Sequence, residues 1–280
     1  GCRQLVTWTL NSRPYVVTCR CKPTHIGETH FYGQSRGKSK FMSHIFTARK
    51  NQSITVTDRQ MEILAGSLLG DAYISKRGAI QVEQGENQKE YLLWKHRELK
   101  SIVSGKVSQV FRRKKNGLRT SSYRFFSKQY FRPWRNLMYR SGRKIIPSSV
   151  LELITPLSLA VWYMDDGCKK NNYSVIISTD SFSAISLKKL RTMLREKWFI
   201  NTRIAIKTTA GKKYRRLTIG SYDLIRFFEL IRPYIIPSMR YKISDPVTTR
   251  SIKRRERMYL NWSDGNYLVA ITRWHPAPVI

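Results

Sequence analysis

The feature that most constrains this chain is an internal duplication. Ile145-Ile146-Pro147-Ser148 recurs as Ile235-Ile236-Pro237-Ser238. Upstream of each, an aspartate ends an apolar, helix-like run: Asp71 in one copy and Asp166 in the other. Ser127 lies 56 residues past Asp71, and Ser221 lies 55 past Asp166. Each serine is read as opening an aromatic, helix-like segment. Midway sit the turn dipeptides Asn116-Gly117 and Ala210-Gly211, at offsets 46 and 45 to the glycine. Asn-Gly is a strong hairpin signal because both positions tolerate positive φ. Several landmarks that keep one register mark a repeat. The chain therefore reads as a basic extension over 1–54 outside the core, a first half over 55–149, a second over 150–250, and a tail over 251–280.

Each half spells helix, two strands, helix, two strands, helix. Thr57-Asp58-Arg59-Gln60 predicts a capping box at the first helix. In the second copy Thr155 predicts an N-cap, with Pro156 at the first helical position. Tyr91–Val103 and Ala184–Trp198 carry apolar residues at helical spacing with basic residues between them. Residues 106–126 and 200–220 alternate Val, Phe, Tyr, Thr and Ile with polar residues, which is strand character.

Charge decides the class of partner. The chain of 280 residues holds 52 Lys and Arg against 18 Asp and Glu, a net of +34. Residues 51–150 carry twenty basic against seven acidic side chains, and residues 151–250 carry eighteen against eight. The excess is thus spread over both halves rather than confined to a tail. Self-repulsion of this size calls for a polyanion, and nucleic acid is the default. The longest uncharged stretch, Leu153 to Met164, is twelve residues, short of the roughly twenty that span a bilayer. No N-terminal apolar run reads as a secretory signal. The chain opens on Gly1 rather than Met, as expected of a processed product, a fragment or a frame continuous with an upstream exon. Four cysteines are too few for a disulfide scaffold. Cys19 and Cys21 with Cys2, His25 and His30 lack zinc-finger spacing, and Cys168 reads as a bystander. Trp94, Trp134, Trp162 and Trp198 read as core or interface residues.

The two first helices align without a gap, Leu64-Ala65-Gly66-Ser67-Leu68-Leu69-Gly70-Asp71-Ala72 on Leu159-Ala160-Val161-Trp162-Tyr163-Met164-Asp165-Asp166-Gly167. Ala65, Gly66, Gly70 and Ala160 are small enough to let two helices approach closely. An aspartate at a helix C-terminus faces the negative end of the dipole. Two such acids at equivalent positions imply a positive charge between them. A shared divalent-cation site supplies it, since carboxylate oxygens and last-turn carbonyls suit Mg²⁺.

These paired runs resemble the duplicated motifs of the single-chain LAGLIDADG homing endonucleases, and Trp162-Tyr163-Met164-Asp165-Asp166-Gly167 resembles the yeast-mitochondrial type in particular. Ser67 in place of an apolar residue and Ala72 in place of the final glycine depart from the motif without removing an acid. The resemblance covers about 55–245. It implies an α/β (α+β) fold of two pseudo-symmetric αββαββα halves, whose two antiparallel sheets form a saddle on double-stranded DNA. It implies Mg²⁺-dependent hydrolysis of one phosphodiester in each strand, with Mn²⁺ able to substitute. Asp71 and Asp166 are then the catalytic and metal-binding acids, and the carbonyls of Gly70 and Asp165 are further ligands. Lys144 and Lys242 are the lysines that organise water, with Arg143 the alternative to Lys144. A monomer is expected because both halves share one chain, and an organelle, mitochondrion or chloroplast, is the expected compartment.

Composition around the hairpins fits DNA. Arg112, Arg113, Lys114 and Lys115 precede the first turn, and Arg119 and Arg124 follow it. Lys207 precedes the second turn, and Lys212, Lys213, Arg215 and Arg216 follow. A two-stranded ribbon fits the major groove, and Gln81 and Glu83 are candidates for base edges. The alternative reading is an RNA-binding intron maturase with the same fold and intron RNA as its partner. Both acids and both lysines are present, which favours the nuclease.

Overall fold

The computed structural model describes residues 4–10, 13–19, 44–47, 53–114 and 116–243. Lys115, Cys2, Cys21, His25, His30 and the basic patch Lys253, Arg254, Arg255 and Arg257 lie outside the described residues, as does the side chain of Cys19. Ser39–Val247 forms one compact unit. Of the second unit, Gly1–Lys38 with Thr248–Ile280, the described part is an antiparallel hairpin, β1 (Gln4–Leu10) and β2 (Arg13–Cys19).

The larger unit opens with the hairpin β3 (His44–Thr47) and β4 (Ser53–Val56). Two copies of one pattern follow. The first is α1 (Asp58–Leu69), β5 (Tyr73–Ile74), β6 (Ile80–Gly85), α2 (Lys89–Glu98), β7 (Val103–Arg113), β8 (Arg119–Ser127) and α3 (Arg132–Met138). A small hairpin, β9 (Tyr139–Arg140) with β10 (Arg143–Lys144), and the short α4 (Ser148–Glu152) connect to the second. That copy is α5 (Pro156–Asp166), β11 (Gly167–Asn171), β12 (Ser174–Ser178), α6 (Ala184–Trp198), β13 (Thr202–Thr209), β14 (Lys212–Ile219) and α7 (Ser221–Ile231). Each half is αββαββα. Each sheet has four antiparallel strands, in the orders β5-β6-β8-β7 and β11-β12-β14-β13.

The caps explain where the motif helices start. Thr57 accepts from the Gln60 backbone while the Gln60 side chain accepts from Thr57 N–H, a complete capping box. Thr155 accepts from Ser158 N–H with Pro156 opening α5. One apolar core runs through both halves, with Trp134 and Trp162 inside it and Trp94 and Trp198 packed at its edge.

Four details differ from the sequence reading. The helix expected over Tyr91–Val103 ends at Glu98. The chain turns there to bury Leu99 and Ile102, and Val103 opens a strand paired with Ser127. Ser127 therefore closes β8 instead of opening a helix, and its hydroxyl accepts from Ile80 N–H. Asn116-Gly117 is not a two-residue turn. It sits in a five-residue loop between Arg113 and Arg119, where the Asn116 side-chain oxygen Oδ1 accepts from Leu118 N–H and Gly117, but not Asn116, has positive φ. Ala210-Gly211 is the two-residue turn, with φ of 48° and 73°. Finally, Ile54 belongs to the core rather than to an extension outside it, because β4 points Ile54 and Val56 inward.

Candidate active site

The motif helices α1 and α5 cross at very small separation. A Cβ on Gly66 would lie 2.3 Å from the Ser158 carbonyl oxygen, and one on Gly70 would lie 2.5 Å from Asp165 Cβ. No other residue fits either place, and this approach brings the two helix ends together. Asp71 follows the C-cap Gly70 and is exposed, while Asp166 is the last residue of α5 and is half-buried.

The two acids share one electrostatic environment. Burial, then the negative charges of Asp71 and Asp165, push Asp166 up to about 7, against the opposing pull of Lys144 and Lys242. Negative charge is thus crowded here beyond what Lys144 and Lys242 offset, and a cation would relieve it. Among the described residues no group of three or more His, Cys, Asp and Glu side chains is arranged to hold a metal. A cation here would take two carboxylates and complete its shell from carbonyls and water, as Mg²⁺ does.

Both candidate lysines sit at the site. The β9–β10 hairpin, turned through Ser141 and Gly142 at positive φ, delivers Lys144. Its Nζ donates to the carbonyls of Leu68, Gly70 and Ala72 at 2.8, 3.1 and 3.1 Å. The 3₁₀ turn Pro237–Lys242 delivers Lys242, whose Nζ donates to Met164 O and, at 3.2 Å, to Asp165 O. Each lysine thus caps the negative end of its own half's motif helix. Burial lowers both lysines below their ordinary range. Arg143 is exposed on the neighbouring position and makes no such contact. Gly70 and Asp165 carbonyls already accept from these lysines. Each oxygen has a second lone pair, so the donor set fits a divalent cation.

Sequence reasoning missed Gln84 and Lys95. Gln84 Nε2 donates to Asp71 Oδ2 and to Asp165 Oδ1, both at 3.0 Å. Lys95, fully buried, donates to both oxygens of Asp165 at 2.7 and 2.9 Å. Asp165 also accepts from Asp71 N–H at 3.4 Å. Its carboxylate is occupied, which leaves only its carbonyl as a ligand. Burial raises the Asp165 carboxyl and Lys95 opposes the rise. One signal was available: Lys95 interrupts the buried stripe of Tyr91, Leu92 and Leu99.

Strand register sorts the nucleic-acid candidates between the two faces of the sheets, since residues opposite one another share a face and neighbours alternate. Gln81, Glu83, Arg112 and Arg124 share the open face of the first sheet, away from buried Val82 and Phe125. Arg112 there clasps Glu83 and donates to Ser122 at 2.9 Å, and this ion pair lowers Glu83. Lys207, Lys212 and Arg216 share the open face of the second sheet, where Arg216 pairs with Asp180 at 2.9 Å. Arg113, Arg119, Lys213 and Arg215 lie on the opposite, helix-side face. Lys114 lies in the loop beyond β7 and is exposed.

The profile of the LAGLIDADG DNA endonuclease family matches residues 61–226. Cytochrome b mRNA maturase bI2 of Debaryomyces hansenii is 31% identical over 199 residues, covering 67% of this chain and 75% of that protein. Probable intron-encoded endonuclease 1 of Wickerhamomyces canadensis is 30% identical over 214 residues, covering 69% of this chain and 87% of its own. The chain spans about half the length of several other curated relatives it matches. Among solved structures, the homing endonuclease I-WcaI bound to its DNA recognition sequence superimposes with a TM-score of 0.60 at 28% identity, covering 68% of this chain and 88% of that one.

Proposed function

This chain belongs to the LAGLIDADG DNA endonuclease family, and from that premise we propose that it is a site-specific homing endonuclease. It makes a double-strand break in a long DNA target by divalent-metal-dependent hydrolysis, is encoded in an intron, and promotes that intron's mobility. The observation that carries this reading is the convergence of Asp71 and Asp166 at the ends of α1 and α5.

Asp71 and Asp166 would hold Mg²⁺ or Mn²⁺, with the Gly70 and Asp165 carbonyls completing the shell. A divalent ion there supplies Lewis-acid polarisation of the phosphate and a more acidic water. The chain's own groups do the rest. Lys144 and Lys242 keep positive charge beside the carboxylates, where it would offset the negative charge that develops at the phosphate. The open-face Arg112, Arg124, Lys207, Lys212 and Arg216 neutralise phosphates and set the register of the duplex. Gln81 and Glu83, on the same open face, are the candidates for base edges. Arg112 links Glu83 to the backbone-contacting set, and Lys114, exposed beyond β7, extends that set. Both halves lie in one chain, so a monomer suffices, and a mitochondrion or chloroplast is the compartment proposed.

A second reading is favoured by the maturase of Debaryomyces hansenii: the same surface binds intron RNA and assists splicing. Cleavage selection separates the two. The protein is mixed with a randomised duplex library and intronless organelle rRNA-gene fragments, with Mg²⁺ or EDTA. The expected result is metal-dependent double-strand cutting at one long site, abolished in Asp71→Asn and in Asp166→Asn. No cutting, together with tight intron-RNA binding that survives both substitutions, sinks the nuclease and leaves the maturase.

A further inference from the structure

The two halves repeat each other closely, yet the network around the acids is one-sided. Position by position from each aspartate, Asp165 corresponds to Gly70, Gln84 to Thr179 and Lys95 to Leu190. The buried stripe of α2, Tyr91, Leu92, Lys95 and Leu99, falls on Ser186, Leu187, Leu190 and Leu194 of α6. The correspondence is therefore structural as well as numerical. In the second half none of the three polar groups has a counterpart that can do its work. Gly70 has no side chain, and a Cβ there would lie 2.6 Å from Asp165 Oδ2. Thr179 donates its hydroxyl to the Arg215 carbonyl at 2.7 Å. Leu190 is buried and apolar.

We infer that Lys95 and Asp165 are a positioning pair for Asp71 alone, and that they make the two halves unequal in strand cleavage. This inference rests on the endonuclease reading. The chain of contacts is direct. Lys95 lies wholly inside the protein and finds there a carboxylate that takes both of its short hydrogen bonds. A buried charge is tolerated when paired and hydrogen-bonded in this way. The paired Asp165 offers one oxygen to Gln84 and the other to the backbone N–H of Asp71. Gln84, fixed by Asp165, points its second hydrogen at Asp71 Oδ2. The carboxylate orientation of Asp71 is thus set by three residues drawn from both halves. Among the described residues Asp166 has no equivalent fixture. It is held by the helix that carries it and by the charges around it.

Removing the pair should loosen Asp71 and leave Asp166 in place. The two strands of a cognate duplex are labelled separately and cut under single-turnover conditions by wild type and by Lys95→Met with Asp165→Leu. A buried ion pair exchanged for apolar side chains commonly keeps the fold. Misplacement of a catalytic group by a fraction of an ångström is expected to slow one strand by about tenfold or more, with the other within about threefold, so nicked duplex accumulates. Gln84→Met, which carries no charge change, is expected to give the same strand bias and serves if the double variant does not fold. In metal-free protein, the Gln84 side-chain amide protons are read by NMR. They should be protected from solvent exchange in wild type and lose that protection in the double variant. Equal slowing of both strands, or a Gln84 amide indifferent to the pair, would overturn the inference. Wild type that cuts no duplex would overturn the endonuclease reading instead, and the amide readout would still decide whether Lys95 and Asp165 fix Gln84.

Discussion

Asp166 bears the electrostatic strain of the site. Its carboxyl is held at about 7, first by burial and then by Asp71 and Asp165. In an unfolded chain an aspartate titrates near 4. The folded state therefore binds more protons than the unfolded state between these values, and stability falls as pH rises through that window. Thermal unfolding of the metal-free protein should show the loss, on the order of 2–4 kcal/mol from Asp166 between about pH 4 and pH 7, with no further contribution above. A divalent cation binds the ionised form. Mg²⁺ should accordingly raise the melting temperature more at pH 8 than at pH 5, and Asp166→Asn should remove most of that difference. Equal Mg²⁺ stabilisation at both pH values would show that Asp166 does not hold the ion.

At the scale of elements, the α1–α5 crossing governs how the acids meet. The small residues that permit it were legible in the chain, because Gly66 and Gly70 sit four apart on one helix face. In an ordinary exposed helix Gly→Ala gains about 1 kcal/mol. Here the added methyl meets the Ser158 backbone oxygen, and backbone cannot step aside as a flexible side chain does. Gly66→Ala should instead destabilise by about 1–3 kcal/mol, as overpacking does. Ser67, one of the two positions that depart from the family motif, behaves oppositely. It is fully buried, and its hydroxyl has no hydrogen-bond partner among the described residues. Ser67→Ala should raise stability by about 1 kcal/mol, because an unsatisfied buried polar group is removed. Denaturant unfolding of the two single variants checks both signs. Element ends were less legible than element types. The α2 helix stops at Glu98 because Leu99 and Ile102 reach the core only if the chain turns there, and helical periodicity alone cannot register that.

Across the whole molecule, the repeat made the αββαββα halves and the pairing of Asp71 with Asp166 readable from sequence alone. Its asymmetry was harder to see. Lys95 is one of 52 basic side chains, and nothing in composition marks it as buried; its place in the stripe of Tyr91, Leu92 and Leu99, and its correspondence to Leu190 of the other half, do. The basic hairpins pose the same problem, since a run such as Lys212-Lys213-Tyr214-Arg215-Arg216 reads as uniformly positive. Register divides it: Lys212 and Arg216 lie with Lys207 on the open face, and Lys213 and Arg215 on the helix side. Binding should reflect that division. If about ten phosphates are neutralised, the logarithm of affinity falls with the logarithm of salt concentration at a slope near −9. Lys207→Ala removes one open-face contact and should make the slope shallower by about 0.9, with weaker binding at low salt. Arg215→Ala removes equal charge from the other face and should leave the slope nearly unchanged. Salt titrations of both variants on one cognate duplex compare them at constant net charge. If the two slopes shift alike, diffuse positive charge binds the duplex and the open faces of the sheets have no special role.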